Sequence, residues 1–256
     1  ALFRRHHSAA YTHGTSANDD LVDIRVRYEV SIPDDMMLRL EGEYGTVRLH
    51  ALSGEFWLDM SASAFLGSDL QGNLVVRNTG GDVWVTNVKG DVEIELQHGR
   101  VETHGLEGRL ALSTGYSTVQ VDDVKGNIEG TIHRGLAIFR DIDGDLNLST
   151  QMTRVEAAHI TGAVVIEGTL SPIELAGLAG PVDIVSDRAN LRLTLDDSFG
   201  RNLDITTEGG RIQGTAFEQM AKDRGMTSAR SLEGPWKTGG PSLKARVKGA
   251  AVDLSL

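Results

Sequence analysis

The sequence predicts an all-β, single-domain β-solenoid, a rod built from stacked 18-residue coils. One observation is a glycine that recurs every 18 residues without a slip, at Gly54, Gly72, Gly90, Gly108, Gly126, Gly144, Gly162 and Gly180. A second is that apolar residues recur at fixed positions of each 18-residue unit, with polar residues between them. A fixed period near 20 residues with strand character is typical of solenoids, in which like positions stack on adjacent coils.

The regular units run over residues 37–195, and each unit predicts two strands. Counted from Met37, positions 2, 4, 11 and 16 are apolar in nearly every unit, which predicts inward-facing strands near positions 2–6 and 10–14. Position 9 is nearly always small and position 18 is glycine, so both are expected to be turns. A β-sandwich or barrel is the alternative architecture. It is disfavoured because such strands seldom keep one register over eight consecutive units.

Composition limits the function classes. The chain has 256 residues, no cysteine and a formal net charge of −11. The lack of cysteine excludes disulfides, thiolate metal sites and cysteine nucleophiles. The negative charge argues against nucleic-acid binding, because phosphates require a basic surface. No apolar run approaches the roughly 18 residues that a membrane-spanning segment needs.

Both ends of the chain depart from the repeat. Residues 1–20 are polar and predict an irregular tail, without the apolar stretch of a signal peptide. Residues 21–33 alternate apolar and polar side chains, which predicts a strand. Residues 216–241 predict an irregular cap or side flap that contains a short helix over residues 217–224. Residues 242–256 predict the closing strands of the solenoid.

One motif introduces the repeats and recurs late in the chain. It reads Val30-Ser31-Ile32-Pro33-Asp34-Asp35, followed by Leu38-Arg39-Leu40, Gly45-Thr46-Val47 and Gly54. A similar pattern stands in residues 193–212, and residues 243–256 resemble a last strand pair. Over about residues 22–256 the chain thus resembles the bacterial adhesin-type β-solenoid family, a domain of unknown function in many envelope proteins. The resemblance implies a right-handed coil and a place at the periplasmic side of the cell envelope, and it offers no catalytic residues to carry over; a cytoplasmic location stays open.

Outward-facing apolar residues are the most informative departure from the repeat. Position 3 of two successive units holds Trp57 and Val75, and position 12 holds Leu66 and Trp84. Stacking is expected to make neighbours of the two residues in each pair. Exposed apolar patches usually mark contact surfaces, and tryptophan is enriched at binding hot spots. Two explanations stay open: a partner protein binds these patches, or the N-terminal tail or residues 216–241 fold back over them.

The irregular segments supply further interaction candidates. Trp236 follows Gly234 and Pro235 in a stretch expected to be a loop, and it is a candidate docking residue. Phe3, Arg4 and Arg5 in the N-terminal tail are candidates if the tail joins an interface.

Metal and catalytic sites find little support in the sequence. His50 and His104 share position 14 but belong to coils roughly 14 Å apart, too far to bind one ion. The acidic residues between Asp122 and Asp145 favour a solvated acidic edge over a calcium site, because the calcium-binding β-roll repeat does not recur. Glu156 and Glu174 are expected to be adjacent on the rod surface, but one pair of carboxylates without aromatic platforms is weak support for polysaccharide cleavage.

These observations predict a non-catalytic structural or protein–protein interaction module. It would be an accessory subunit of a larger envelope- or membrane-associated assembly, in which a stiff rod holds contact residues at low ordering cost. The alternative is an adhesin or carbohydrate-binding surface protein, and a polysaccharide-active enzyme is a remote one. We expect neither a cofactor nor a metal.

Overall fold

The structure is a computed structural model. It describes the backbone of residues 5–11, 24–30, 36–196, 200–224 and 230–256, with side chains for 36–196, 200–223 and 230–256. The elements are β1 (Arg5–Tyr11), β2 (Ile24–Val30), β3 (Met36–Glu43), β4 (Thr46–His50), β5 (Gly54–Ser61), β6 (Ala64–Gln71), β7 (Leu74–Asn78), β8 (Val83–Lys89), β9 (Val92–Leu96), β10 (Gly99–Glu107), β11 (Leu110–Lys125), β12 (Ile128–Asp143), β13 (Leu146–Ile160), β14 (Val164–Thr169), β15 (Ile173–Leu178), β16 (Val182–Asp187), β17 (Leu191–Thr194), β18 (Arg201–Glu208), β19 (Ile212–Gln213), α1 (Thr215–Arg224), β20 (Ser231–Trp236), β21 (Ser242–Lys248) and β22 (Val252–Ser255).

The predicted all-β solenoid is confirmed. Coil 1 begins at Met37, and each later coil begins 18 residues further on. The first strand of each coil pairs in parallel with the first strand of the next, as β3, β5, β7 and β9 do. The second strands form a separate parallel ladder through β4, β6, β8 and β10. Each of these pairings joins residues 18 apart, so the sequence period is the coil length.

The corners of the coil differ in detail from the prediction. Left-handed residues stand at position 8 rather than position 9 in most coils, and a further left-handed corner stands at position 15. In coil 5 these residues are Tyr116, with φ 50°, and Asp123, with φ 55°. Strands β11, β12 and β13 run through these corners as single strands of 15 or 16 residues. A single left-handed residue bends the chain while its neighbours keep their pairing with the adjacent coils.

Asparagine and aspartate after the position-18 glycine form a ladder along the rod. The Oδ1 atom of Asn127 accepts a hydrogen bond from the backbone N–H of Asp145, one coil on, at 3.0 Å. Asp145 in turn accepts from the N–H of Ala163 at 2.7 Å. Asn73 and Asp91 make the same contact further toward the N-terminus. These side chains satisfy backbone donors where the strands are interrupted, which explains the Gly-Asn and Gly-Asp pairs of the repeat.

The core lies inside the coil, between the two ladders. Inward positions 2, 4, 11 and 16 are buried in most coils, as predicted, and positions 6 and 13 join them. Large side chains that are fully buried include Leu58, Phe65, Leu70, Leu74, Ile94, Leu96, Leu106, Leu110, Ile128, Ile132, Phe139 and Ile142. Because the inward side chains of the middle coils are covered by the coils on both sides, burial depends on stacking.

The C-terminal end has an order of layers that the sequence does not reveal. Strand β21 pairs in parallel with β16 of coil 9 on one side and with β18 on the other. Strand β22 likewise lies between β17 and β19. Residues 242–255 therefore form an inner layer, and residues 201–213 form a layer further out.

A strand and a helix cover this end. The predicted helix is present as α1, and its buried face includes Phe217, Met220 and Ala221, as expected. The stretch around Trp236 is not a loop but strand β20, which pairs antiparallel with β18. Pro235 is tolerated there because proline in sheets occurs on edge strands. The buried Arg201 guanidinium donates to the carbonyl oxygen of Gly180, and burial lowers its pKa.

The N-terminal segment also differs from the prediction. Residues 5–11 form β1 rather than an irregular tail, because β2 supplies antiparallel backbone partners. These two strands make a sheet of their own, separate from the 20-stranded solenoid sheet. In the described part of the chain, no helix has the length and apolar character needed to cross a bilayer.

Candidate interaction surfaces

The Trp57 patch, formed by Trp57 and Val75, lies on the first-strand ladder. Register pairing places Trp57 beside Val75 on the adjacent coil, as predicted. The Trp57 side chain is 41% exposed, and Val75 is half-buried. The guanidinium carbon of Arg77 lies 5.3 Å from the centroid of the Trp57 ring. This cation–π contact holds the indole in place without removing it from solvent.

The Trp84 patch, formed by Leu66 and Trp84, lies on the second-strand ladder. The two residues are direct neighbours in adjacent coils, again as predicted, and both are half-buried. Because the position-8 corner separates the two ladders, the two tryptophan patches occupy different sides of the rod. Coils 2 and 3 thus present outward tryptophans on two sides.

The C-terminal architecture decides two of the predictions: whether residues 216–241 cover the tryptophan patches, and whether Trp236 is a docking residue. The described parts of residues 216–241 cover the far end of the solenoid, roughly 40 Å from the two patches at about 4.8 Å per coil. They therefore do not cover either patch. Trp236 is 4% exposed, so it is part of the cap core and the prediction of a docking residue there is wrong. Its burial follows from the pairing of β20 with β18.

The candidates in the N-terminal tail are Phe3, Arg4 and Arg5. Phe3 and Arg4 lie outside the described residues. Arg5 is the first residue of β1, where only the backbone is described. The hypothesis that the tail joins an interface stays a prediction.

A shallow trough lies on the same ladder as the Trp57 patch, in coils 4 to 7. It has a volume of about 410 Å3 and is lined by Glu93, Ile94, Glu95, Ala111, Leu112, Ser113, Glu129, Gly130, Thr131, Asn147 and Ser149. It arises because coil 5 places Ala111 and Ser113 between larger residues of coils 4 and 6. Arg109 donates to Glu129, and this hydrogen bond, with the nearby charge, raises the pKa of the guanidinium. No aromatic residue lines the trough.

The predicted carboxylate pair is present but engaged. Glu156 and Glu174 are direct register neighbours. Arg154 donates to Glu156 at 2.8 Å and to Glu174 at 3.1 Å. Arg192 lies 3.6 Å from Glu174 as well. The arrangement is an exposed ion-pair network, in which the positive charges offset the repulsion between the two carboxylates.

Histidine and acidic side chains make pairwise surface contacts. His50 lies 2.9 Å from the Ser68 hydroxyl, and His159 lies 3.0 Å from Asp141. Over the described ranges, from residue 36 to residue 256 with their gaps, no group of three or more such residues is placed to hold a metal ion.

One surface feature escaped the sequence prediction. A ridge of large side chains follows position 8 along coils 4 to 8: His98, Tyr116, Arg134, Met152 and Leu170. The His98 and Tyr116 ring centroids lie 5.2 Å apart with an interplanar angle of 10°, and the guanidinium carbon of Arg134 lies 5.0 Å from the centroid of the Tyr116 ring. Met152 and Leu170 remain 39% and 43% exposed. Comparison of the residues at position 8 of successive coils in the sequence would have revealed this ridge.

Comparison with known proteins adds no relative: no family profile, curated protein or solved structure matches this chain.

Proposed function

We propose that this protein is a non-catalytic structural or protein–protein interaction module, an accessory subunit of a larger envelope- or membrane-associated bacterial assembly. The observation that carries the proposal is the presence of outward tryptophans on two sides of adjacent coils, Trp57 and Trp84. Tryptophan at a partly exposed, well-packed site is the residue type most enriched at binding hot spots. The envelope location rests on the resemblance of the repeats alone.

The physical basis of the proposed role is rigidity. Trp57 and Trp84 project from strands that are paired on both sides, so their backbones lose little freedom on binding. Arg77 further restrains the Trp57 ring. A partner that binds both tryptophans would contact two sides of the rod at coils 2 and 3. The net charge of −11 favours a protein surface over nucleic acid as that partner.

The test is co-purification from the native host. We expect the wild-type protein to elute from a size-exclusion column with a stoichiometric partner protein. The combined Trp57→Ser and Trp84→Ser variant should lose the partner, because each substitution removes a large apolar contact, worth about 2 kcal/mol or more at a hot spot.

Val165→Ser is the matched control for this experiment. Val165 occupies the same position of the coil as Trp57 and is 39% exposed, but it lies six coils away. The control should keep the partner. Elution of the wild-type protein alone, or equal loss of the partner with Val165→Ser, would contradict the proposal.

Carbohydrate binding is the second candidate function, and the trough in coils 4 to 7 favours it. Glu93, Glu129 and Asn147 offer the carboxylate and amide groups that hydrogen-bond sugar hydroxyls, and Trp57 stands on the same ladder. Binding on a glycan array that disappears in Glu93→Gln and Glu129→Gln, and persists in Val165→Ser, would favour this function over the assembly role. Glu156 and Glu174 are both ion-paired to Arg154, and the proposal assigns them no catalytic role.

A further inference from the structure

The two ends of the solenoid sheet differ. At the C-terminal end, β20 and α1 cover the last layers. At the N-terminal end, β3 pairs with β5 alone among the described strands. An unpaired strand edge readily adds another strand, and natural proteins usually cover or break such edges. Strand β3 has eight residues and contains neither proline nor a bulge.

Within the part of the chain that the structure describes, one edge of β3 has no strand partner, and its backbone there presents a definite set of hydrogen-bonding groups. Phe56, the register partner of Leu38, donates its N–H to Asn73 of the next coil. Leu38 and Leu40 therefore point their N–H and C=O groups toward β5. Successive residues of a strand point these groups to opposite sides, so Arg39 and Glu41 point theirs away from the solenoid. Neither has a backbone partner among the described residues.

The apolar side chains at this edge are unusually exposed to solvent. Of the large hydrophobic side chains with described exposure, Tyr44 and Met37 are the most exposed, at 83% and 73%. Met37 lies near the start of β3, and Tyr44 directly follows its last residue. Leu38 and Leu40, which occupy core positions, are only half-buried because no described coil covers them.

The outward charges of β3 are self-complementary. Arg39 and Glu41 flank Leu40 on the outer face and form an ion pair at 2.9 Å within the strand. A twofold axis through Leu40 places Arg39 opposite Glu41 of a second copy, and Glu41 opposite its Arg39. In this register the opposed residues are also those whose N–H and C=O groups are free, as a hydrogen-bonded antiparallel pair requires.

We propose that β3 pairs edge to edge, antiparallel, with β3 of a second copy of this chain, so that two solenoids join into one continuous sheet. The chain's own N-terminal strands are the competing occupant. They are hydrogen-bonded to each other and form a separate sheet, with no pairing to β3. Trp57 is the register neighbour of Arg39, so the two proposals are separated by the charge-exchange experiment, which leaves both tryptophans unchanged.

The test is native mass spectrometry and analytical ultracentrifugation of the full chain with reversed charges. Wild type should be a dimer, while Arg39→Glu and Glu41→Arg should each raise the dimer dissociation constant about 10-fold or more, since each creates two like-charged cross-strand pairs. An equimolar mixture of the two variants should form the heterodimer, because the carboxylates of one copy then face the guanidinium groups of the other at both cross-strand pairs. The double variant should again dimerise with itself.

Controls separate this contact from others. Lys244→Ala removes an exposed charge of the same ladder at the far end and should leave the dimer intact. In hydrogen exchange, amide protection of Arg39 and Glu41 should rise with protein concentration. A monomeric wild type, single variants that dimerise like wild type, or protection of these amides independent of concentration would each overturn the proposal.

Discussion

Replacing Gly90 with alanine should lower the free energy of unfolding by about 2–6 kcal/mol, because strain and overlap each cost roughly 1–3 kcal/mol. Gly90 has φ 143°, a conformation that residues with a Cβ atom rarely adopt. A Cβ atom there would lie 2.4 Å from the carbonyl oxygen of Gly72 in the preceding coil and 2.6 Å from its carbonyl carbon. Both are backbone atoms, which cannot yield without breaking the parallel ladder.

Gly80→Ala is the matched control in the same coil. The nearest atoms to a Cβ at Gly80 lie 3.9 and 4.0 Å away, so the change should stay within about 0.5 kcal/mol. Urea denaturation followed by circular dichroism measures the difference, and hydrogen exchange shows whether coils 2 and 3 open locally, since repeat arrays can depart from two-state unfolding. Equal stability of the two variants would show that the position-18 glycine is not required by the close approach of the coils.

The same stacking explains why so much of the rod is predictable from the sequence. In a parallel solenoid with an unbroken period, residue i lies beside residue i+18, so the period alone assigns neighbours. Trp57 beside Val75 and Leu66 beside Trp84 follow directly, and so does the pairing of Glu156 with Glu174. No knowledge of side-chain packing is needed for these assignments.

The C-terminal layers were not predictable because the period ends before them. Strands β18 and β21 have the same alternation, with Leu203 and Ile205 in one and Leu243 and Ala245 in the other. The apolar pattern of either strand would allow it to pair with coil 9. Only the three-dimensional structure shows that β21 is the inner layer. Trp236 was misjudged for a related reason: its burial comes from a strand distant in sequence, while glycine and proline beside it indicate a loop.

The sequence did not lead us to predict the position-8 ridge, because the residue at a corner of the coil was expected to have a small side chain. Tyr116, Arg134 and Met152 adopt φ values of 50–56° there, a region in which glycine or asparagine is usually found. Local propensity therefore pointed to a plain turn. Contacts between the side chains of successive coils offset this unfavourable backbone conformation, as in the stacking of His98, Tyr116 and Arg134. Such contacts appear only when the coils are aligned as columns.

Ending the chain at Pro241 should unfold the C-terminal cap while leaving the central coils folded. The deletion removes β21 and β22, whose inward residues Leu243, Ala245, Val247, Val252 and Leu254 are all at most 2% exposed. At about 1.5–3 kcal/mol for each large apolar side chain, the lost burial rivals the whole stability of a typical domain. Strands β16 and β18 would face each other across an empty strand position. Hydrogen exchange should then show lost protection in residues 200–224 and 230–236 and retained protection in residues 92–160.

Because the shortened chain could aggregate, a point variant of the full-length chain tests the same prediction. Ala245 is fully buried and lies between Ile184 and Ile205 in the sheet, so Ala245→Asp places a carboxylate where no water or cation can reach it. It should reproduce the loss of protection in the cap, whereas Lys244→Ala, one residue away on the exposed face, should not. If the cap stayed protected in both the shortened chain and Ala245→Asp, β21 would not be an inner layer. Because β21 joins coil 9 to the outer layers on its two edges, the cap's stability is set by residues 242–255, and the outer layers cannot dock before β21 and β22 are in place.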